Sequence, residues 1–299
     1  MRQIYHSLAG KSQIICEATF AHPPQYAIIW SNTASDGCHH SDGLTPCTAG
    51  SGLSARADGV HSSHTRSPNQ SLMKPARPLD DRLKCVAEQL IEGRQRQPCQ
   101  LAHVDIGCDH GYLLAWLIAT GNVDAGIAIE NKTAPLQMAQ RTLAGLNVQV
   151  RLANGLDGLA TDEADSLSIS GMGGRTICKI LAAHPERLPP VVVLQPNDHL
   201  DLVRRWAYEN GLPIIAETVV PGGRYQVMRF ETQSDHRRDT AYDSLDLETA
   251  FLLGPCLLRH RPESAIKMWQ QQHDHLAGLP KRTPASQHRL DALKSALNR

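Results

Sequence analysis

The alternation of apolar and polar residues divides the chain into three parts. Residues 31–71 are rich in Ser, Gly, Thr, His and Pro and show no sustained apolar period, so they cannot bury enough surface to offset the entropy lost on ordering. Short apolar runs alternate with helical periods from residue 101, and only helical periods continue beyond about residue 233. We therefore predict a disordered or non-native extension over 1–72, an α/β domain over 73–233 and a helical appendage over 234–299, with Met73 as the native start.

The middle part contains seven runs that predict β-strands. They lie at 101–106, 125–129, 148–152, 166–169, 191–194, 213–219 and 225–230. Helical periods follow the first, second, fourth and fifth of these runs, over 113–119, 135–144, a segment ending near 181, and 200–210. This alternation predicts a doubly wound, Rossmann-like α/β sheet whose last two strands pair through a turn at 221–223. In the appendage, helices are predicted at 247–258, 264–276 and 288–297, with a break at 276–284.

Composition and charge narrow the class of protein only slightly. The 41% of hydrophobic residues suffice for a real core, and the formal net charge of zero neither supports nor excludes a nucleic-acid partner. The eight cysteines are scattered without a tight repeat, which favours reduced thiols and a cytoplasmic protein. No apolar run reaches the roughly 18 residues needed to cross a bilayer, and no signal-type segment begins the chain, so no membrane partner is expected.

One group of potential zinc ligands lies in the first part of the chain. It comprises Cys38, His39, His40, Cys47, His61 and His64. Their spacing matches no compact zinc module, and a segment rich in such residues scatters them in this way by chance. We therefore expect no metal site.

The loop after the first predicted strand carries the strongest chemical signal. It has Gly107 and Gly111, but Asp109 stands where the dinucleotide fingerprint G-x-G-x-x-G has its middle glycine. A carboxylate there repels a pyrophosphate at a helix N-terminus and suits an ammonium group, such as that of S-adenosylmethionine. The loop thus favours that methyl donor over NAD, although a strand-to-helix turn with an Asp cap has the same residues. We assign Asp105, Gly107, Asp109, His110 and Gly111 to cofactor binding.

Two further cofactor positions follow the next strands. Glu130 ends the second strand about 20 residues after the glycine loop, where a carboxylate can accept hydrogen bonds from ribose hydroxyls. Asn154 and Gly155 follow the third strand, where the amide can contact an adenine edge or simply form a turn. Gly171, after the fourth strand, permits close approach of the backbone to a ligand or to a neighbouring helix.

Polar groups after the fourth and fifth strands are candidates for substrate binding. Met172 and Gly173 belong to a glycine-rich segment, and Gln195 and Asn197 follow a fully apolar strand. Core packing poorly explains amides at that point, although Asn197 can also cap the next helix.

Taken in order, these motifs resemble a known family. The segments DIGCDHGYL, AIE, NGL, ISGMGG, LQPN and GGRYQV resemble the bacterial TrmK family of tRNA (adenine-N1)-methyltransferases, which modify adenine 22. The resemblance covers about residues 79–272 and includes Leu253-Gly254-Pro255 and the pair Lys267 and Trp269. It implies a class I methyltransferase sheet, S-adenosylmethionine as cofactor, and a C-terminal coiled-coil-like helical domain that helps to hold tRNA.

The resemblance also assigns individual residues. Asp105, Gly107 and Glu130 match the family's cofactor residues, and Asp109 matches an acidic residue that the family needs for activity. The chain departs from the family at Asn154, where the family usually has Asp, so altered cofactor affinity is expected. It departs again at residue 226, where Gln replaces the usual Glu and puts any role of that carboxylate in doubt.

The resemblance implies methyl transfer to N1 of adenine 22. Asp109 is the candidate catalytic residue, either stabilising the cationic product ring or only positioning the donor's ammonium. Tyr112, Met172 and Tyr225 are candidates to stack on the flipped base, although each can equally be a packing residue. Candidate phosphate-binding residues are Arg175, Lys179, Arg204, Arg205, Arg259, Arg261, Lys267, Lys281 and Arg282. Arg204 and Arg205 can equally be solvated helix residues.

Two other functions stay open. A methyltransferase of a small molecule or protein would have the same sheet, but it would leave the helical appendage without a purpose. A non-catalytic RNA-binding module is disfavoured by the intact glycine loop with Asp105 and Glu130.

Overall fold

The computed structural model describes residues 77–97, 99–232 and 239–298. The predictions for residues 1–72, including the Cys38–His64 group and the start at Met73, lie outside the described residues.

The described part contains seven strands and nine α-helices. The strands are β1 (Ala102–Ile106), β2 (Gly126–Glu130), β3 (Val148–Leu152), β4 (Ala164–Met172), β5 (Val191–Pro196), β6 (Ile214–Val219) and β7 (Gln226–Glu231). The helices are α1 (Asp81–Arg96), α2 (Tyr112–Ala119), α3 (Thr133–Thr142), α4 (Gly174–Ala183), α5 (Leu200–Glu209), α6 (Leu247–Leu253), α7 (Pro255–His260), α8 (Glu263–Ala277) and α9 (Pro284–Leu297). The predicted α/β alternation is therefore confirmed.

The strands form one sheet in the order β3-β2-β1-β4-β5-β7-β6. Strands β1 to β5 pair in parallel, and β7 runs antiparallel to both β5 and β6, as the predicted closing pair requires. The chain winds outwards in both directions from the β1–β4 pair. Ligands of doubly wound sheets bind at the carboxyl ends of the strands beside such a switch point.

Alternating side chains build a core on each face of the sheet. On one face Val192 and Leu194 join the largest apolar cluster, and on the other Val191 and Val193 pack with residues of α1 and α2. All six residues of β5 are buried, which explains why its apolar run predicts a central parallel strand.

Strands β4 and β5 extend beyond their predicted ends. Ser170 pairs with Gln195, and Met172 pairs with Pro196 after an irregularity at Gly171. The prediction that Met172 and Gln195 lie in loops after the strands is therefore wrong. The cause is not local, because the small and polar residues at the end of β4 are held in strand conformation by pairing with the end of β5.

The helical region also differs from its prediction in detail. The single helix expected over 247–258 is broken at Gly254, which has φ +98° and precedes Pro255. A Cβ at Gly254 would lie 2.6 Å from Glu217 Oε2, the same carboxylate oxygen that accepts a hydrogen bond from Cys256 N at the start of α7. The break thus lets a β6 carboxylate cap a helix.

The C-terminal helices share a core with the sheet. Trp269 of α8 and Leu293 of α9 are completely buried in the same cluster as Leu167 and Val192 of the sheet. The division of the chain at 233/234 stays a prediction, and the helical region is built onto the sheet's own core.

Candidate active site

The predicted cofactor residues meet at one edge of the sheet. Asp105 and Glu130 lie near the carboxyl ends of the neighbouring strands β1 and β2, and both are buried. Asn154 follows β3, Gly171 lies in β4, and the loop 107–111 leaves β1 at the switch point.

The loop after β1 turns back on itself through three residues with positive φ. Gly107 has φ +71°, Asp109 +49° and Gly111 +71°. The backbone amide of Gly107 donates to the Ile129 carbonyl over 2.8 Å, which ties the loop to β2. The Asp109 side chain is 67% exposed, so its carboxylate faces solvent at this edge rather than capping a helix. No side-chain cap is found at the start of α2, so the Asp-cap alternative is wrong.

His110 and Tyr112 form a stacked pair beside Asp109. Their ring centroids are 5.3 Å apart with an angle of 20° between the planes. His110 Nε2 lies 3.7 Å from Asp109 Oδ2, and the Arg77 guanidinium lies 4.7 Å from the Tyr112 ring centroid. Aromatic surface therefore lies next to the exposed carboxylate, and the Arg77 cation lies over the Tyr112 ring.

Two of the predicted cofactor glycines have packing roles. A Cβ at Gly111 would lie 2.8 Å from Leu143 Cδ1, and a Cβ at Gly155 would lie 2.9 Å from Ile180 Cγ2. Both residues have positive φ. These contacts explain both glycines without a ligand, so their assignment to cofactor binding stays a prediction.

Asp105 is held inside the sheet. Its Oδ1 accepts a hydrogen bond of 2.6 Å from Ser168 Oγ on β4. Burial raises the pKa of this carboxyl from the ordinary value of 3.8 to about 7, opposed by the Ser168 hydrogen bond and the Arg82 charge and reinforced by the Glu130 charge. Asp105 therefore changes charge near neutral pH.

Glu130 is oriented by its own backbone. Its Oε1 accepts hydrogen bonds of 3.0 Å from the amides of Asn131 and Lys132. The Asn131 side chain in turn donates to Asn154 Oδ1 over 3.4 Å. One carboxylate oxygen is fixed by this turn, and Oε2 has no hydrogen-bond partner in the described parts of the chain.

The ends of β4 and β5 are joined through backbone and side-chain bonds. Asn197 N donates to the Met172 carbonyl over 2.8 Å, and Asn197 Nδ2 donates to the Gly171 carbonyl over 2.7 Å. Asn197 therefore does not cap α5, whose preceding residue is His199. Gln195 is fully buried, and its Oε1 accepts from Gly171 N over 3.0 Å. The two segments form one rigid rim.

Met172 and Gly173 face the neighbouring loops. The terminal methyl group of Met172 lies where a Cβ of Gly107 would be, and a Cβ at Gly173 would lie 3.1 Å from Asp198 Oδ1. Asp198 Oδ1 also accepts from Gly174 N over 2.9 Å at the start of α4. Met172 thus connects the rim to the glycine loop.

Tyr225 lies directly before β7, which begins at the same edge of the sheet as β5 ends. It is half-buried and packs on the cluster formed with α1 and α2, with the Arg224 guanidinium 5.1 Å from its ring centroid. Only the exposed part of the Tyr225 ring is therefore available for the predicted stacking on a base.

Sequence reasoning missed Arg82. From α1, its Nη1 donates to Ser170 Oγ over 2.6 Å and to Gln195 Oε1 over 3.0 Å. A Cβ at Gly171 would lie 3.2 Å from the same nitrogen. These partners are 88 and 113 residues away, so no local pattern in the sequence reveals the contact.

The prediction that Arg204 binds phosphate is wrong. Arg204 is fully buried, donates from Nε to Glu217 Oε1 over 2.7 Å and from Nη2 to Gln226 Oε1 over 2.6 Å. Gln226 accordingly belongs to this buried network rather than to the candidate site. Arg205 pairs with Glu248 over 2.7 Å at the surface.

The other predicted phosphate contacts divide into two groups. Three guanidiniums donate to backbone carbonyls: Arg259 to that of Ala241, Arg261 to that of Ala296, and Arg282 to that of Leu276. The remaining side chains are exposed, and their role stays a prediction: Arg175, Lys179, Lys267 and Lys281.

Two further results concern the whole described chain. No described helix is both long and apolar enough to cross a membrane. Among the described residues, no group of three or more His, Cys, Asp or Glu side chains is arranged to hold a metal ion.

The chain is similar in sequence to known tRNA methyltransferases. A family model described as TrmK, tRNA (adenine(22)-N(1))-methyltransferase, matches residues 103–299. The tRNA (adenine(22)-N(1))-methyltransferase of Bacillus subtilis (strain 168) is 33% identical over 205 residues, which are 66% of this chain and 82% of that protein.

Solved structures give the same result for the fold. The crystal structure of the B. subtilis M1A22 tRNA methyltransferase TrmK matches with a TM-score of 0.60 and 30% identity, over 74% of this chain and 96% of that one. A Streptococcus pneumoniae protein crystallised in complex with S-adenosyl-L-methionine matches with a TM-score of 0.62 and 29% identity, over 74% of this chain and 100% of that one.

Proposed function

Because the chain belongs to the TrmK family of tRNA (adenine(22)-N1)-methyltransferases, we propose that it transfers a methyl group from S-adenosylmethionine to N1 of adenine 22 in tRNA. One contact supports this function most directly. The Met172 side chain, from the rim of β4 and β5, lies over Gly107 in the loop after β1. A base held at the rim therefore lies next to a methyl donor held at the loop.

The residues at the edge of the sheet fit the methyl donor. Glu130 offers Oε2 to the ribose hydroxyls, because Oε1 is already fixed by two backbone amides. The exposed Asp109 carboxylate suits the ammonium group, and Asn154 suits the adenine edge. Arg82 brings a cation to the same edge, where the donor's carboxylate needs one.

The residues around Met172 fit an adenine that has left its stack. His110 and Tyr112 offer a stacked aromatic surface beside Asp109, and Met172 offers a polarisable apolar contact. Asn197 and Gln195 give their side-chain bonds to the rim itself. We therefore propose that these two amide side chains maintain the shape of the base site. The predicted contact to the base is then made by backbone groups next to them.

Methyl transfer to N1 of adenine needs orientation more than proton removal. The neutral N1 has an in-plane lone pair, so the protein has to hold it in line with the methyl–sulfonium bond that S-adenosylmethionine supplies when bound. The ring becomes cationic as the new bond forms, and a nearby carboxylate stabilises that charge. Asp109 is our candidate for this role, since its side chain is free of capping bonds and exposed at the edge.

The first experiment is methylation by the purified full chain of tRNA that lacks the modification, with labelled donor and nucleoside analysis. We expect 1-methyladenosine, and none in the same tRNA with guanosine at position 22. A different methylated nucleoside would overturn the substrate assignment. Binding of tRNA without any methyl transfer would instead favour a non-catalytic module.

The role of Asp109 is tested by Asp109→Asn and Asp109→Ala. If the donor Kd is unchanged and turnover falls by about 100-fold, which is typical for loss of an electrostatic catalytic group, the catalytic role holds. If the donor Kd rises and turnover falls together, Asp109 only positions the donor's ammonium.

The helical region and the cellular location complete the proposal. Residues 234–299 help to hold tRNA, with Lys267 and Lys281 exposed for phosphate contacts. A cytoplasmic location follows from the substrate.

A further inference from the structure

Four polar side chains are buried between β1 and β4, and Asp105 is one of them. His103 and Asp105 alternate on β1, and Ser166 and Ser168 face them on β4, in the register His103 with Ser166 and Asp105 with Ser168. His103 and both serines are fully buried. Burying such groups costs free energy unless each one finds a hydrogen-bond partner, so their arrangement calls for a physical reason.

With the Asp105 carboxylate ionised, the number of hydrogens available gives the direction of these hydrogen bonds. Ser168 Oγ donates its single hydrogen to Asp105 Oδ1 over 2.6 Å. It must therefore accept from His103 Nε2, which lies 3.0 Å away. Burial and the Arg94 charge lower the pKa of His103 to about 3, so the ring is neutral. With hydrogen on Nε2, its Nδ1 is an acceptor.

The next link follows from the same tautomer of His103. Ser166 Oγ lies 3.1 Å from His103 Nδ1 and 3.1 Å from Asp165 Oδ1. Asp165 also accepts from the Arg94 guanidinium and from Leu101 N, so it is satisfied without the Ser166 hydrogen. A buried Nδ1 without hydrogen needs a donor, so we assign the Ser166 hydrogen to His103, with Ser166 accepting from Arg94 Nη1 over 2.6 Å.

The chain of donors thus runs in one direction along the sheet. It begins at the Arg94 guanidinium, passes through Ser166, His103 and Ser168, and ends on the Asp105 carboxylate at the edge of the candidate site. Each donor in such a chain is polarised by the one behind it, and its last bond ends on a charged acceptor.

We propose that His103 and Ser168 are positioning residues that orient the Asp105 carboxylate and favour its ionised form for binding of the cationic methyl donor. This inference rests on the proposed function only through the identity of the donor. Other charged or titratable groups that face Asp105 are Arg82 from α1, Glu130 from β2 and Cys108 in the loop after β1. Because Asp105 titrates near neutral pH, loss of one donor changes its charge under working conditions.

The first test uses the donor-free protein, with Ser168→Ala and the matched control Ser168→Thr. The unfolding free energy is measured against pH by urea titration, since ionisation of a buried carboxyl makes stability fall as pH rises. We expect Ser168→Ala to move the upper end of that fall upwards by about one pH unit, whereas Ser168→Thr keeps the wild-type position because it keeps the hydroxyl. An unchanged profile in Ser168→Ala would overturn the proposal.

The second test asks whether the effect passes through His103. His103→Gln keeps an N–H donor near the position of Nε2, whereas His103→Leu removes it. We expect His103→Leu to bind S-adenosylmethionine about 3- to 10-fold more weakly than wild type at pH 7. Its affinity should return to the wild-type value above pH 8, where Asp105 is ionised without the N–H donor. His103→Gln should stay near wild type at both pH values. Equal loss in both variants at every pH would mean a merely structural role and would refute the inference.

A third variant separates this inference from the proposed function. If Asp105→Asn leaves donor binding unchanged, the assignment of Asp105 to the donor site fails. The donor-free profiles of the Ser168 variants still decide whether the hydrogen-bond chain controls the carboxyl. Nitrogen-15 NMR of labelled histidine, with the His103 signals assigned by their loss in His103→Gln, is expected to show the Nε2–H tautomer; the other tautomer would reverse the chain and overturn the proposal.

Discussion

At the scale of single residues, ionisation of the buried Asp105 carboxyl makes the stability of the folded chain depend on pH. The pKa of Asp105 is about 7 in the folded chain against an ordinary value of 3.8, so between these values the folded state binds a proton that the unfolded state lacks. Stability due to this group is therefore greatest at low pH and falls as pH rises from about 4 to about 7. We expect Asp105→Asn, which cannot ionise, to be about 4 kcal/mol more stable than wild type at pH 8 and equal to it near pH 4.

The measurement is the unfolding free energy by urea titration at several pH values, with S-adenosylmethionine affinity measured alongside. Donor affinity is expected to fall in the same variant, so that the residue trades stability for function. A variant less stable than wild type at pH 8 would show that the carboxylate is stabilised, not strained, in its site.

At the scale of elements, the glycine loop is shaped by the packing of two helices. Gly111 directly precedes α2 and has φ +71°, and an added Cβ would lie 2.8 Å from Cδ1 of Leu143, which directly follows α3. Gly121, with φ +70°, has no atom within 4 Å of an added Cβ. We expect Gly121→Ala to cost about 1 kcal/mol for its backbone conformation alone, and Gly111→Ala to cost about 2–4 kcal/mol because overpacking adds to it.

Thermal and urea denaturation of the two variants, side by side, measure the difference. Equal losses would mean that Leu143 moves away freely, and that the loop does not depend on this contact. The Gly111 variant is also expected to bind the methyl donor more weakly, since Asp109 lies in the loop that would move.

The elements also show what the sequence can predict and why the rest escapes it. Short apolar runs predict β1, β2 and β5 closely, because burial on both faces leaves a local signal. The end of β4 is missed because Gly171 and Met172 become strand only through partners on β5. Arg204 is misassigned because its helical position between Val203 and Ala207 is buried, and its acceptors lie on distant elements. Long-range polar partners leave no periodic trace in the sequence.

At the scale of the whole molecule, a single buried arginine joins the sheet to the C-terminal helices. Arg204 of α5 donates to Glu217 of β6, to Gln226 of β7 and to the Phe251 carbonyl in α6. Glu217 in turn accepts from the first turn of α7. Because these elements share one apolar core, loss of the guanidinium affects both parts of the chain together.

We expect Arg204→Met to lower the unfolding free energy by about 3–5 kcal/mol, because it leaves the buried Glu217 carboxylate without its cation. The matched control is Arg205→Met, whose surface pair with Glu248 is worth about 1 kcal/mol or less. The double variant Arg204→Met with Glu217→Gln should recover part of the loss, since no uncompensated charge remains. Circular dichroism and tryptophan fluorescence during urea unfolding should follow one transition in every variant. Two separate transitions, or equal losses in the two arginine variants, would mean that the helical region is joined to the sheet by apolar contacts alone, and that the arginine network does not couple them.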